Sequence, residues 1–166
     1  MIKEYFNYKV KIKDTPFVTE TGKKYRNTAA LSFLDENKKE IAYIELGFID
    51  CEEIYQLIDQ GEAINIDQGY VENFSLNDYR ESRNIDKKAY VKLHQFSAYN
   101  TFFDSRTRTD FSFSEFDDEY KNFENAHFLN GSVSFYSAIF NQGGINFSYV
   151  YFNDGNLDFY NVNFGD

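Results

Sequence analysis

The chain has no tryptophan, and among its 166 residues there is one proline, one methionine, one cysteine and two histidines. The single cysteine, Cys51, cannot close an internal disulfide, so nothing marks an oxidising compartment. No apolar run approaches the ~18 residues of a membrane-spanning helix. The opening, MIKEYFNYKVKIK, alternates polar and apolar residues and lacks the apolar block of a secretory leader. The default reading is a cytoplasmic protein. P-loop, dinucleotide, nucleophile-elbow and HExxH patterns are also missing. Gly143-Gly144 lacks the following helix that phosphate cradling needs. The sequence therefore reads as a non-enzyme, with no catalytic residue, cofactor or metal assigned.

Basic residues become scarce along the chain. Residues 1–100 hold 14 Lys/Arg against 17 Asp/Glu, a net −3, whereas residues 101–166 hold 3 against 10, a net −7. No Lys or Arg follows Lys121. Such a field repels nucleic-acid phosphate and argues against direct nucleic-acid binding by this part. It keeps an aromatic-rich chain soluble, and it would also attract a basic partner.

What the chain has in excess is phenylalanine, 19 residues, and tyrosine, 14. The phenylalanines are periodic. From Phe116 the sequence reads FDDEYKNFENAH, FLNGSVSFYSAI, FNQGGINFSYVY, FNDGNLDFYNVN and FGD, a twelve-residue repeat. Position one holds Phe116, Phe128, Phe140, Phe152 and Phe164; position eight holds Phe123, Phe135, Phe147 and Phe159. Gly131, Gly143 and Gly155 hold position four, and Val133, Ile145 and Leu157 hold position six. Ala126, Ala138, Val150 and Val162 hold position eleven. Positions six and eight share one strand face, and position eleven shares a face with position one of the next unit. Between these short strands lie a two-residue corner, such as Tyr136-Ser137, and a longer corner carrying the glycine. One unit thus supplies two strands and two corners, the content of one narrow coil, and large residues can face small ones across it.

The pattern, with Ala126-His-Phe128 and Ala138-Ile-Phe140 placing a small residue two before a phenylalanine, resembles the looser variety of pentapeptide-repeat protein. The resemblance covers about 50 residues, with weaker echoes upstream. It implies a rod-like, right-handed parallel β-helix without catalysis; some members of that family mimic DNA and bind type II topoisomerases. Apolar spacings of five, two, three and two depart from strict pentads, so a square coil and a flat two-sided coil both fit.

Upstream, Val91, Leu93, Phe96, Ala98, Phe102, Phe111 and Phe116 echo the spacing, and Ile64, Ile66, Val71 and Phe74 suggest an earlier coil. Residues 76–86 then read as a helical excursion capped by Ser75. The solenoid is expected over residues 62–166. Residues 1–61 read as a small α+β cap: a strand with Phe6, Tyr8, Val10 and Ile12 inward, a hairpin of Ala29–Leu34 and Ile41–Leu46, and a helix. Asp50 would cap that helix, with Glu53 at the box position and Gly61 as its stop.

Other residues carry weaker signals. His94 and His127 have no ligand pattern beside them. Cys51 follows a helix cap, where a thiolate could be stabilised, but has no histidine or second cysteine in its vicinity. The run Glu115-Phe116-Asp117-Asp118-Glu119 could offer carboxylates to calcium, though it lacks the glycine and ligand spacing of a known loop. Tyr136, Tyr149, Tyr151 and Tyr160 could form a binding strip or merely stack between coils.

The expected function is a non-enzymatic scaffold or protein-interaction module. One alternative is a DNA mimic directed at a topoisomerase, for which acidic residues after 122 (Glu124, Asp154, Asp158, Asp166) are sparse. The other is a ligand-sensing or enzymatic N-terminal domain, which a pocket of converging polar groups would favour. Phe116, Phe128, Phe140 and Phe152 are expected to form one buried ladder at twelve-residue intervals, and Phe123, Phe135, Phe147 and Phe159 another. Phe147→Ala is then expected to cost roughly 3–5 kcal/mol. The fifth unit breaks off at Asp166 with no polar cap, so the reading also expects further coils or end-to-end pairing with a second copy.

Overall fold

A computed structural model of the chain describes residues 4–117, 120–153 and 155–165. It is mainly β and divides into two compact units, Met1–Ile49 and Asp50–Asp166, so the helix grouped with the N-terminal region in the sequence falls in the second unit. Among the described residues, no helix is long and apolar enough to cross a membrane.

In the first unit, β1 (Asn7–Lys13), β4 (Asn27–Leu34) and β5 (Glu40–Ile49) form an antiparallel sheet, beside a small β2 (Phe17–Val18) and β3 (Lys24–Tyr25) pair. The β4–β5 turn is set by Asp35, whose carboxylate accepts from the backbone of Asn37 and Lys39 at 2.9 Å each, with Lys38 left-handed. Central β4 buries Leu31 and Phe33 completely. β1 is less inward-facing than its alternation suggested: Tyr8 and Val10 are half-buried, while Phe6 and Ile12 are exposed, Phe6 at 73%. Gly47 on β5 lies under the Tyr25 ring, which leaves no room for a Cβ.

The second unit opens with α1 (Cys51–Gln60). Asp50 and Glu53 close its capping box, and Gly61, at φ +65°, ends it in the left-handed region. Then come β6 (Ala63–Asn65), β7 (Gly69–Glu72) and α2 (Leu76–Ser82), whose cap Ser75 accepts from the Asp78 backbone. The rest is parallel: β8 (Val91–Ser97), β9 (Phe102–Asp110), β10 (Ser114–Phe116), β11 (Tyr120–Asn122), β12 (His127–Ser134), β13 (Ile139–Phe140), β14 (Gly144–Asn146), β15 (Tyr151–Phe152) and β16 (Leu157–Asp158).

The registers give the length of a coil. His127 pairs with Tyr151, Val133 with Leu157 and Lys121 with Ile145, so the regular coils repeat every 24 residues. Two twelve-residue units, not one, make a turn. The expected ladders are corrected accordingly. Phe116 stacks on Phe140, Phe123 on Phe147, Phe128 on Phe152 and Phe135 on Phe159, with centroids 4.7–5.1 Å apart and planes within 24°. That spacing is the distance between hydrogen-bonded strands, so each ring rides directly on its strand. Successive position-eight rings instead meet edge to face across the coil, as Phe123 and Phe135 do at 5.7 Å and 81°. Each layer therefore holds four phenylalanines from two units.

The columns continue upstream through less regular coils. Phe103 stacks under Phe128 and Phe111 under Phe135, each at 4.9 Å, and Leu93 pairs with Phe116. Val71 pairs with Phe103, and Phe74 lies 4.8 Å from Phe111. The helical excursion expected near 76–86 appears as α2, between β7 and β8.

Candidate functional site

Two features of the repeat position everything else, and sequence reading caught neither in full. The two-residue corner carries a left-handed residue at position ten of every unit: Asn125, Ser137, Tyr149 and Asn161, with φ between 53° and 57°, preceded by Phe113 at 51°. Phe135 O accepts from Ala138 N at 2.9 Å across one such corner. A positive φ at the second central residue is the type II signature, usually met by Gly or Asn. The side chain at position seven holds the corner shut. Asn122, Ser134, Asn146 and Asp158 accept from the backbone two residues on at 2.9–3.2 Å. Asn, Ser or Asp at that position in all four units was a legible signal of turn chemistry.

The longer corner carries Gly131 at φ +73°, Gly143 at +102° and Gly155 at +100°. Its tightest form lies where β9 runs past β12. Asp104 pairs with Asn130 and Arg108 with Ser132, so Ser105, Arg106 and Thr107 together oppose the lone Gly131. A Cβ on Gly131 would stand 2.5 Å from the Ser105 carbonyl oxygen, and one on Gly155 2.5 Å from the Gly131 oxygen.

That bulge makes one wall of a pocket of about 280 Å³, lined by Asn73, Ser75, Asn77, Asp78, Ser105, Thr107, Arg108, Asp110 and Ser112. None of the lining side chains is apolar. Asp110, 4% exposed, is held on all sides: it accepts from Asn77 N at 3.0 Å and from the Ser112 hydroxyl at 2.9 Å, and lies 3.8 Å from Arg80. Arg80, 1% exposed, donates to Ser112 O at 2.9 Å and Ser112 Oγ at 3.1 Å. Burial lowers its pKa from the ordinary guanidinium value, and Asp110 works against that shift. The buried hydroxyl of Ser105 donates to Arg108 O at 2.7 Å and accepts from Arg108 N at 3.1 Å, fixing the main chain where the guanidinium leaves it.

The residues singled out in the sequence fall in different places. Phe116, Phe123, Phe128, Phe135, Phe140 and Val133 are buried. Phe147 and Ile145 are half-buried, and Phe152, Leu157 and Phe159 are exposed at 36–42%. Lys121, at position six like Val133, is 1% exposed and donates to Asn141 O at 2.7 Å and Gln142 O at 2.8 Å. Cys51 donates to Glu72 O at 2.9 Å; burial, with Asp50 nearby, pushes its thiol up to about 12, the opposite of an activated thiolate. His94 Nδ1 sits 3.1 Å from Asp117. His127 is sandwiched between Phe102 at 4.2 Å and Tyr151 at 5.0 Å, and burial pulls its pKa down to about 4. In the suggested calcium run, Glu115 instead accepts from Asn141 at 3.0 Å, while Asp118 and Glu119 lie outside the described residues, as do Asp154 and Asp166.

The four tyrosines do not form one strip. Tyr151 belongs to the His127 column, and Tyr149 stands exposed at its own corner. Tyr136 and Tyr160 stack at 5.6 Å, and Phe113 and Tyr90 extend that column at 5.5 and 5.7 Å. Tyr90, Tyr136 and Tyr160 are 36–70% exposed, giving a continuous aromatic edge across the coils. No family model matches the chain, and no curated protein or solved structure matches it either.

Proposed function

We propose that residues 50–166 form a right-handed β-solenoid that serves as a non-enzymatic scaffold, offering the Tyr90–Phe113–Tyr136–Tyr160 edge to a basic protein partner. Handedness follows from the strong preference of parallel crossovers for the right-handed sense. The observation that carries the reading is the aromatic edge itself, four rings in mutual contact with three of them open to solvent. Rings held against one another lose little further freedom on binding, and aromatic anchors dominate protein interfaces. Residues 101–166, which carry Phe113, Tyr136 and Tyr160, hold a net −7 that favours Lys- or Arg-bearing partners at that end of the edge, whereas Lys87, Lys88 and Lys92 flank Tyr90. Selection of peptides from a random displayed library tests this. Enriched peptides should be basic and should bind the Tyr136→Ser/Tyr160→Ser variant at least ~10-fold more weakly. Equal binding to the double variant, or no enrichment of basic residues, would overturn it.

A further inference from the structure

None of the four rings of the aromatic edge lines the polar pocket, and the pocket's hydrogen bonds have a one-sided remainder. Asp110 and the hydroxyls of Ser105 and Ser112 are already engaged with one another, with Arg80 or with the backbone. The other lining groups are mostly open donors. The Ser75 hydroxyl accepts from Asp78 N at 3.1 Å and keeps its own proton to give. Asn73 accepts from Arg106 N through Oδ1, which leaves its amide N–H₂ free. The side chains of Asn77, Thr107 and Arg108 have no hydrogen-bond or ion-pair partner among the described residues, nor has the carboxylate of Asp78. The free inventory is thus one guanidinium, two amide N–H₂ groups and two hydroxyls, against the Asp78 carboxylate and the Asn77 amide oxygen.

The placement of Arg108 adds weight to that count. It is one of three Lys or Arg residues after position 100, in a stretch of net charge −7. Its backbone is pinned by buried Ser105, and Asp110, the acidic group deepest in the lining, already has Arg80 and Ser112 as partners. A cation with no partner among the described residues, set in a concave wall of donors, matches the acceptor-rich head of an oxyanion. We propose that this pocket binds a small oxyanion-bearing molecule, a carboxylate or a phosphate ester, with Arg108 as the charged ligand and Asn73, Asn77, Ser75 and Thr107 as neutral donors.

Titration of the full-length, isotope-labelled protein, followed by amide chemical shifts, tests the site. Sodium phosphate and sodium acetate serve as separate probes, with sodium chloride at matched ionic strength as reference. Shifts should be confined to residues 73–78 and 105–112, saturating at a dissociation constant on the order of 1 mM. Saturation by phosphate alone assigns a tetrahedral head group, and by acetate alone a carboxylate; either supports the site. Arg108→Gln should weaken binding ~10-fold or more, whereas Arg106→Gln, next in the bulge but outside the lining, should change it less than ~3-fold. Asp78→Asn, which removes the one free negative charge, should tighten it ~2-fold or more. Shifts that stay linear and match those in chloride, or equal losses for Arg106→Gln and Arg108→Gln, would overturn the proposal.

Discussion

The coil from Phe116 to Ile139 and the coil from Phe140 to Asn163 share one sequence pattern and differ in what that pattern achieves. In the first, Phe116, Phe123, Phe128 and Phe135 are at most 1% exposed. In the second, only Phe140 is as deeply buried; Phe147 is half-buried, and Phe152 and Phe159 stand at 37% and 36%. The four stacks that join the two coils, at 4.7–5.1 Å, are common to both and do not account for the difference. The difference is neighbours: an inner ring is covered by a coil on each side, an outer one by a coil on one side. A coil's stability is therefore a property of its position in the stack more than of its residues.

The largest expected effect separates two residues of one column. Phe135→Ala should cost about 3–5 kcal/mol, as a ring removed from a closed core, and Phe159→Ala about 1–2 kcal/mol. Phe147→Ala should fall between, below the figure that the sequence suggested. Denaturant melts of the three variants rank them; equal costs would break the comparison.

The glycines sharpen it. Gly131→Ala meets both a positive φ and the Ser105 carbonyl within the stack and should destabilise by about 3 kcal/mol. Gly155→Ala has the same clash with Gly131 O, on a more exposed coil, and should cost about half as much. Thermal melts showing Gly155→Ala to be the worse variant would contradict the ranking.

His127 gives the comparison a pH axis. Its folded pKa, about 4, lies below the ordinary value of 6.5, because burial disfavours the imidazolium. Below 6.5 the unfolded chain takes up the proton and the folded one does not. Its contribution is therefore intact above 6.5 and is lost as pH falls towards 4, by up to ~3 kcal/mol. His127→Phe preserves the stack with Phe102 and Tyr151 and should remove that part of the acid sensitivity. Identical pH profiles for the variant and the parent protein would refute this assignment.

The smallest effect lies at the corners. Tyr149→Asn replaces an exposed aromatic at φ +56° with the residue type that tolerates this conformation best after glycine, and should stabilise by ~0.5 kcal/mol. A melt lowered by the substitution would show that the Tyr149 ring makes a contact worth more than the strain.

Much of this architecture was legible. The twelve-residue period, the inward phenylalanines, the glycine corners and both helix caps follow from residue spacing and turn chemistry. The doubling of the coil does not. Phe123 and Phe135 occupy equivalent places in equivalent units, and nothing in a repeating string says whether the next copy lies above or across. The pocket was hidden for another reason. Its walls come from residues 73–78 and 105–112, brought together because β7 and β9 pair in register. Arg80 and Lys121 were likewise unreadable as interior residues, since their burial depends on carbonyl oxygens supplied by Ser112, Asn141 and Gln142.

The two-unit turn has a bearing on how such a chain can lengthen. Duplicating twelve residues would keep the phenylalanine lattice intact, because every inward position finds an equivalent one beneath it. It would also carry everything downstream to the opposite side, so that Tyr160 would no longer stand over Tyr136. Duplicating 24 residues preserves interior and exterior together, because Phe135 and Phe159 inside and Tyr136 and Tyr160 outside both repeat at that interval. Under selection for the interior alone, insertions of either length are neutral; under selection for a binding edge, only even numbers of units survive.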